Sequence, residues 1–228
     1  QRQMCIRDSP MGKSRKFDLV IFDMDGTLTE VRSPWQYLHE HLGVWEGVAD
    51  KHLSSWLEGS IDYKEFFRLD VELWLGQARS VLYGHLDSIP IKSGVPETLR
   101  ALEEAGTRTA VLSTGFDRVS ERIQERCGFP VRTWANVMCF DSEERLVSVE
   151  MNTSGDEASP ISKRALAPVI MKAFGAERER TATVGDTEGD LGMFAEAGFS
   201  LAVHEAPDLN ADVVLPTPDI RSCLELLL

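Results

Sequence analysis

Two aspartates, Asp23 and Asp25, directly follow an apolar run of four residues, LVIF. Such a run predicts a strand that is covered on both faces. Side chains two residues apart on a strand point to the same side, so the two carboxylates should lie together if strand geometry continues. At about 4 Å and an effective dielectric constant near 20, they would repel by roughly 4 kcal/mol. The pair therefore predicts a positive charge between them.

Two further polar clusters follow predicted strands. One consists of Ser113, Thr114 and Gly115 at the end of TAVLS, and the other is GDTEGD, residues 185–190, at the end of TATVG. Each alone is weak evidence, because turns of this composition are common. In a parallel sheet, however, ligands collect at the carboxyl ends of the strands. The clusters would place four carboxylates at one edge, those of Asp23, Asp25, Asp186 and Asp190. Oxygen ligands of this kind suit Mg²⁺, which is the predicted positive charge.

The elements that must position these clusters alternate along the chain. From residue 91 onwards, helical and strand-like segments follow one another to the C-terminus. This alternation predicts an α/β fold, a Rossmann-like doubly wound parallel sheet with helices on both faces. Two β-rich runs on either side of DSEE, residues 141–144, predict a hairpin.

The segment 31–90 has a different character and predicts a small helical unit inserted after the first strand. Ser33 followed by Pro34 is a helix start signal. Four of the five tryptophans fall in this segment, and we expect them mainly in its core, with an aromatic wall over a ligand as the less favoured alternative. They are Trp35, Trp45, Trp56 and Trp74. His39 and His41 are expected on a solvated helix.

Composition excludes several classes of protein. The chain has 228 residues, 43% of them hydrophobic and 27% charged, which is ordinary for a globular protein. A formal charge of −13 argues against nucleic-acid binding. No apolar run approaches the roughly 18 residues of a membrane span. We therefore expect a cytoplasmic protein, and we expect residues 1–10 to lie outside the fold, because Met11 reads like a natural start.

Four ordered motifs resemble those of the haloacid dehalogenase superfamily of phosphohydrolases, in its phosphoserine-phosphatase-like branch. They are DMDGT, VLSTG, the lysine of SPISKRAL and GDTEGD, and the resemblance extends from about Phe17 to the end of the chain. The resemblance implies a catalytic core formed by residues 11–30 and 91–228, with residues 31–90 as a helical cap domain over the site.

The resemblance also implies a role for each motif residue in an Mg²⁺-dependent hydrolysis. Asp23 would attack phosphorus to form an aspartyl-phosphate, and Asp25 would serve as general acid and base. The metal ligands would be Asp23, the backbone carbonyl of Asp25, and Asp186, with Asp190 orienting the site from outside. The phosphoryl group would be bound by Ser113 and Thr114 of the motif that ends at Gly115. Lys163 would neutralise the phosphate and the nucleophile.

The chain departs from phosphoserine phosphatases at two positions that contact substrate in that branch. Nine residues after the nucleophile, where those enzymes carry an acidic residue, stands Arg32. Seven residues after Tyr63, where they carry an arginine, stands Asp70, and Arg68 lies on another side of the predicted helix. We therefore expect a small phosphorylated metabolite as substrate, either phosphoserine or another compound, with Arg32 binding an anionic group.

Two alternatives stay open. The aspartyl-phosphate could pass to a second hydroxyl compound, which would make the protein a phosphotransferase or mutase. Alternatively, the fold could serve as a non-catalytic binding module. The sequence is compatible with a monomer or a homodimer.

Overall fold

The computed structural model describes residues 16–152, 162–204 and 209–228. Residues 1–10, for which the sequence predicts a position outside the fold, lie beyond the described residues. Within the described residues, no helix is long and apolar enough to cross a lipid bilayer.

A seven-stranded sheet forms the centre of the molecule. Its spatial order is β4-β3-β2-β1-β5-β6-β7, and every neighbouring pair is parallel except β3 and β4. The strands are β1 (Leu19–Phe22), β2 (Arg108–Phe116), β3 (Arg132–Phe140), β4 (Leu146–Glu150), β5 (Thr181–Gly185), β6 (Phe199–Ala202) and β7 (Val213–Val214). The α/β fold class predicted from the alternating pattern is confirmed.

Strand β1 lies in the middle of the sheet because its side chains are apolar on both faces. All four of its residues are fully buried. Val20 and Phe22 belong to one hydrophobic cluster and Leu19 and Ile21 to the other, so alternate residues enter cores on opposite sides of the sheet. Parallel pairing with β2 and β5 brings the carboxyl ends of these three strands to the same edge.

Helices cover both faces of the sheet. On one side α5 (Val95–Glu104) and α6 (Asp117–Cys127) contribute to the cluster that contains Val20, and on the other side α7 (Lys163–Phe174) and α8 (Leu191–Glu196) pack against Leu19 and Ile21. The predicted hairpin is confirmed, because β3 and β4 pair in antiparallel fashion across the turn that begins at Asp141.

Four helices occupy the segment between β1 and α5. They are α1 (Pro34–His41), α2 (Asp50–Leu57), α3 (Tyr63–Glu72) and α4 (Arg79–Ser88); a short helix, α9 (Leu224–Leu227), closes the chain. Helix α1 starts where the sequence predicts, since the Ser33 side chain accepts a hydrogen bond from the backbone N–H of Gln36. The division into a core domain and a cap domain stays a prediction.

One prediction for this segment is wrong. His39 is fully buried, not solvated. Its Nδ1 accepts a hydrogen bond of 3.1 Å from Trp74 Nε1, and its Nε2 lies 3.2 Å from Asp70 Oδ2, poorly aligned for a hydrogen bond. His52 Nδ1 is 2.9 Å from the other Asp70 oxygen. The sequence shows a polar residue on a helix, but only packing decides that a carboxylate meets it there.

Candidate active site

Asp23 and Asp25 follow β1, but the strand itself does not bring them together. It ends at Phe22, and a turn closed by hydrogen bonds from the backbone N–H groups of Leu28 and Thr29 to the Met24 carbonyl places Asp25. Gly26 has φ +85°, and a Cβ atom there would lie 2.9 Å from Arg32 Cγ and closer still to the Asp186 carboxylate. A glycine is therefore required where these chain segments meet.

The second cluster binds Asp25 directly. Ser113 Oγ donates a hydrogen bond of 2.5 Å to Asp25 Oδ2 and accepts one of 2.7 Å from the Gly115 backbone N–H. A Cβ atom on Gly115 would clash with the Asp25 carboxylate. The Thr114 carbonyl accepts hydrogen bonds from Trp35 Nε1 at 3.0 Å and from Asn136 Nδ2 at 2.7 Å.

The third cluster places Asp186 and Asp190 beside the first. Asp190 Oδ2 accepts hydrogen bonds from the backbone N–H groups of Asp186 (2.9 Å) and Thr187 (3.0 Å), which shapes the loop after β5. Thr27 Oγ1 donates to Asp186 Oδ1 at 2.8 Å. Thr27 thus connects the turn that holds Asp25 to the third cluster.

Lys163 bridges two of these carboxylates. It is the first residue of α7, whose N-terminus is capped by Ser162, and its side chain is buried. Its Nζ lies 2.5 Å from Asp23 Oδ1 and 2.5 Å from Asp190 Oδ1. One cation is thus shared between the two buried carboxylates.

The electrostatic balance of the site favours more positive charge than Lys163 supplies. Burial raises the pKa of Asp23 well above its usual range, and the charge of Asp190 raises it further, while Lys163 opposes the shift. Burial likewise raises the pKa of Asp25 to about 7, against the effect of its hydrogen bond from Ser113. Burial lowers the pKa of Lys163, but Asp23 and Asp190 more than compensate and the net shift is upward. The lysine is therefore charged, and a further cation at this place would favour ionisation of the carboxylates.

The donor set fits a divalent metal ion. Asp23, Asp186 and Asp190 each offer an oxygen, and these oxygens lie within 4.8 Å of one another. Asp186 Oδ2 is buried without a hydrogen-bond partner, since the nearest cation, Arg32 Nε, is 3.5 Å away and does not form a hydrogen bond. Both oxygens of Asp190 already accept hydrogen bonds from Lys163 or from the backbone. The oxygens of Asp23 and Asp186 are therefore the more available ligands.

A cavity of about 430 Å³ opens above these groups. Asp23, Asp25, Thr114 and Lys163 line it at the carboxyl ends of the strands, and Arg32 lines it from the start of the helical segment. The structure therefore brings these predicted site residues together at one cavity. The other predicted site residues, Ser113, Gly115, Asp186 and Asp190, do not line it; Ser113 and Gly115 contact Asp25, and Asp190 contacts Lys163.

Other residues of the site went unnoticed in the sequence. Asn136 binds the Thr114 carbonyl through its side-chain N–H group and accepts a hydrogen bond from the Asn152 backbone N–H. Lys92 Nζ donates to the Gly26 carbonyl. The available signal for Asn136 was an asparagine inside the otherwise apolar run WANVMCF, residues 134–140. Nothing local marks Lys92.

The tryptophans divide between core and cavity. Trp74 is fully buried, as expected for a core residue. Trp35 and Trp56 are half-buried and line the cavity, so for these two the less favoured interpretation, an aromatic wall, describes the structure better.

Phosphoryl transfer requires chiefly that a protein position the reacting groups and neutralise their charge. This edge of the sheet brings the carboxylates and Lys163 together and offers oxygens for a metal ion. The fold and the site together define an α/β phosphohydrolase. The chain belongs to the haloacid dehalogenase-like hydrolase family, whose model matches residues 17–198. The resemblance predicted from the four motifs is thereby confirmed.

Comparison with individual proteins shows which members of the family this chain resembles. The chain is 28% identical over 215 residues to a phosphoserine phosphatase of Methanocaldococcus jannaschii, an alignment that covers 93% of this chain and 99% of the relative. It is 26% identical to a probable phosphoserine phosphatase of Schizosaccharomyces pombe, covering 98% of this chain and 73% of the relative. A solved phospho-aspartyl intermediate analogue of phosphoserine phosphatase superposes with a TM-score of 0.74 at 26% identity, covering 94% of this chain and 100% of the other. The protein is therefore a phosphatase of the phosphoserine-phosphatase-like type.

Proposed function

We propose that this protein is an Mg²⁺-dependent phosphomonoester hydrolase that forms an aspartyl-phosphate on Asp23. One observation carries the proposal. Asp23, Asp25 and Lys163 converge on the same cavity, with Lys163 Nζ at 2.5 Å from the proposed nucleophile. A carboxylate needs no base to act as a nucleophile once it is ionised.

The proposed reaction assigns one step to each of these side chains. An oxygen of Asp23 attacks phosphorus as the ester P–O bond breaks, and Asp25 donates its proton to the departing alkoxide. Asp25 then accepts a proton from water, whose oxygen attacks the phosphorus of the aspartyl-phosphate, releasing phosphate and restoring the Asp23 carboxylate. Thr114 binds the phosphoryl oxygens through its backbone N–H, and Ser113 holds Asp25 in place by its hydrogen bond to Oδ2.

Neutralisation of charge is shared between Lys163 and the metal ion. Lys163 opposes the build-up of negative charge at Asp23, and Asp190 fixes the lysine by accepting its second hydrogen bond. The metal ion would be held by Asp23, Asp186 and the backbone carbonyl of Asp25, and it supplies electrostatic stabilisation of the phosphoryl oxygens.

Arg32 is the candidate for binding a second anionic group of the substrate. It lines the cavity, and its side chain is 53% exposed, so the guanidinium is free to reorient. Arg32 Nε lies 3.5 Å from Asp186 Oδ2, an oxygen without a hydrogen-bond partner. A metal ion bound by Asp186 would replace Arg32 as the neighbour of that oxygen. The test uses phosphate esters that carry a second anionic group, such as a carboxylate or a second phosphate. If kcat/KM for these esters is the same in Arg32→Ala as in the wild type, this assignment is wrong.

The test of the proposed function is a phosphate-release assay on a panel of small phosphomonoesters with and without Mg²⁺. We expect Mg²⁺-dependent turnover by the wild type, none by Asp23→Asn, and full turnover by Glu58→Gln, which removes an exposed carboxylate. Acid quenching during turnover should trap protein-bound phosphate only where Asp23 is present. Absence of turnover for every ester would favour a non-catalytic binding module.

The same assay separates hydrolysis from phosphotransfer. A hexose phosphate is supplied together with a sugar acceptor, and phosphate release is compared with the appearance of a new sugar phosphate. We expect free phosphate as the product, and a predominant sugar phosphate would identify a phosphotransferase or mutase. Cytoplasmic location and a monomeric or homodimeric state stay predictions.

A further inference from the structure

The cavity above the catalytic edge has one wall that the phosphatase reaction does not explain. Five aromatic side chains from the helical segment form it, and we call this set the aromatic wall: Trp35, Trp56, Tyr63, Phe66 and Phe67. A phosphoryl group at Asp23 must leave the organic part of its ester on the open side of the site, because the other sides are closed by buried protein. The leaving group therefore extends into the cavity and meets the aromatic wall.

The aromatic wall is held rigid by contacts among its own members. Trp56 and Phe66 are stacked, with ring centroids 5.1 Å apart and planes inclined by 6°. Tyr63 meets Trp56 edge-on at 5.5 Å and lies 6.4 Å from Phe67. Trp35 lies 5.1 Å from Phe67, which makes the set continuous. Aromatic pairs at these distances attract beyond simple burial, so the wall is preorganised before a ligand arrives.

Trp35 joins the aromatic wall to the catalytic edge. Its Nε1 donates a hydrogen bond of 3.0 Å to the carbonyl of Thr114, the residue proposed to bind the phosphoryl group. Its ring packs on Trp74 and Phe116, with centroids 4.9 Å and 4.8 Å away. Trp35 therefore has a fixed position relative to Thr114 and the proposed phosphoryl site. Specificity for a leaving group requires such a fixed position.

The charges around the cavity do not suit an amino acid ester. Among the described residues that line it, the acidic ones are Asp23 and Asp25, both engaged in the reaction. Asp70 is turned into the helical segment, where His39 and His52 contact both its oxygens. No further carboxylate in the described lining is therefore available for an ammonium group.

Arg68 does not line the cavity either. It lies on the exposed side of α3, where Glu65 and Glu72 bind its guanidinium. Beside the aromatic wall, the described lining therefore offers no spare carboxylate that could bind a substrate cation. Arg32 is the one guanidinium among the described lining residues.

We infer that the substrate is a phosphate monoester of an alcohol that carries an aromatic or similarly planar apolar ring, and that the ring packs against the aromatic wall. This inference rests on the proposed function and specifies its substrate class. A cavity of about 430 Å³ lies within the range of sites that enclose small ligands. An apolar ring that packs on this wall loses water-exposed area and gains ring contacts.

The main comparison is between 2-phenylethyl phosphate and ethyl phosphate, whose leaving alcohols have similar basicity, so that contacts in the cavity decide the difference. The substrates are 2-phenylethyl phosphate, ethyl phosphate, O-phosphoserine and phosphocholine, each with Mg²⁺. We expect kcat/KM for the phenylethyl ester to exceed that for the ethyl ester by about 30-fold or more, the discrimination that one well-packed ring provides. The other two esters should resemble the ethyl ester.

Variants assign that preference to the aromatic wall. Trp56→Ala should lower the ratio of phenylethyl to ethyl kcat/KM by about tenfold or more, and Trp56→Phe should keep most of it. Leu57→Ala is the matched control, because Leu57 is the next residue of α2, is 70% exposed and does not line the cavity. The ratio is read within each variant, so a partial loss of folded protein does not affect it.

Failure of the inference and failure of the proposed function give different results. Turnover of acetyl phosphate, which has no ring, together with a phenylethyl to ethyl ratio near one would overturn the inference alone. A preference for phosphocholine would also overturn it and assign the wall to a quaternary ammonium. If no ester is hydrolysed, tryptophan fluorescence titrations measure the affinity for 2-phenylethylphosphonate and for ethylphosphonate. Equal affinity for the two would refute the inference.

Discussion

Lys163→Met should reveal how strongly the catalytic edge depends on a single cation. The lysine Nζ lies 2.5 Å from Asp23 Oδ1 and from Asp190 Oδ1, and all three side chains are buried. Methionine has nearly the same length and keeps the apolar stem in place, but it removes the charge and both hydrogen bonds. Two buried carboxylates then face each other without compensation.

The size of the effect follows from the separation of the two carboxylates. Their oxygens lie within 4.8 Å of each other. At an effective dielectric constant of about 20, two unit charges at that distance repel by about 3.5 kcal/mol. Breaking a buried ion pair by removing one partner costs about 3 to 5 kcal/mol. We therefore expect Lys163→Met to lower the free energy of unfolding of the metal-free protein by about 3 to 4 kcal/mol at pH 8.

The loss should shrink as the pH falls. Burial and Asp190 already raise the pKa of Asp23 in the native protein, and removal of Lys163 raises it further. An unfolded aspartate has a pKa of about 3.9, so between the two values the folded state binds more protons than the unfolded state. Stability then increases as the pH falls through the folded pKa, because a protonated Asp23 no longer repels Asp190.

Urea unfolding in the presence of EDTA measures this effect. Wild type, Lys163→Met and Lys172→Met are compared at pH 8 and pH 5; Lys172 is on the same helix but exposed, so its variant controls for the substitution itself. We expect the deficit of Lys163→Met to fall below about 2 kcal/mol at pH 5. A deficit under about 1 kcal/mol at pH 8, or one that does not change with pH, would refute the electrostatic reasoning.

Three further predictions concern other parts of the structure. Asp70→Asn should lower the free energy of unfolding, measured by urea titration, by about 2 kcal/mol, because the contacts to His39 and His52 lose the carboxylate charge. An effect no larger than that of the surface variant Glu65→Gln would contradict this. Gly115→Ala should reduce kcat/KM at least tenfold with an unchanged far-ultraviolet circular dichroism spectrum, because the added Cβ displaces the Asp25 carboxylate; unaltered kinetics would refute that clash. EDTA should abolish turnover and Mg²⁺ restore it, and Mg²⁺ should raise the melting temperature of the wild type but not that of a variant without the Asp186 carboxylate.

The fold and the catalytic edge could be predicted because their signals are local. An apolar run of four residues is enough to indicate a buried strand, and polar clusters after three such runs meet when the strands are parallel neighbours, as β2, β1 and β5 are. The hairpin between β3 and β4 and the start of α1 at Ser33 followed from turn and capping residues in the same way. None of these features depends on which distant segment covers the strand.

The partners of individual side chains could not be predicted in this way. Helical periodicity shows which residues share a face of a helix, but not which residues pack against that face. The sequence therefore predicted a solvated His39 and did not reveal that His39 and His52 both contact Asp70. The same limit applies to Trp56, whose position in a cavity wall depends on the packing of α2 against α3 above the sheet.

The sequence by itself therefore determined the sheet, the order of its motifs and the acidic edge, since these depend on spacing along one segment at a time. Only the tertiary structure decided that Lys163 joins Asp23 to Asp190 and that aromatic rings line the same cavity as Asp23 and Asp25. Contacts of this kind connect residues far apart in the chain, and they are fixed by how helices pack on the sheet and on one another.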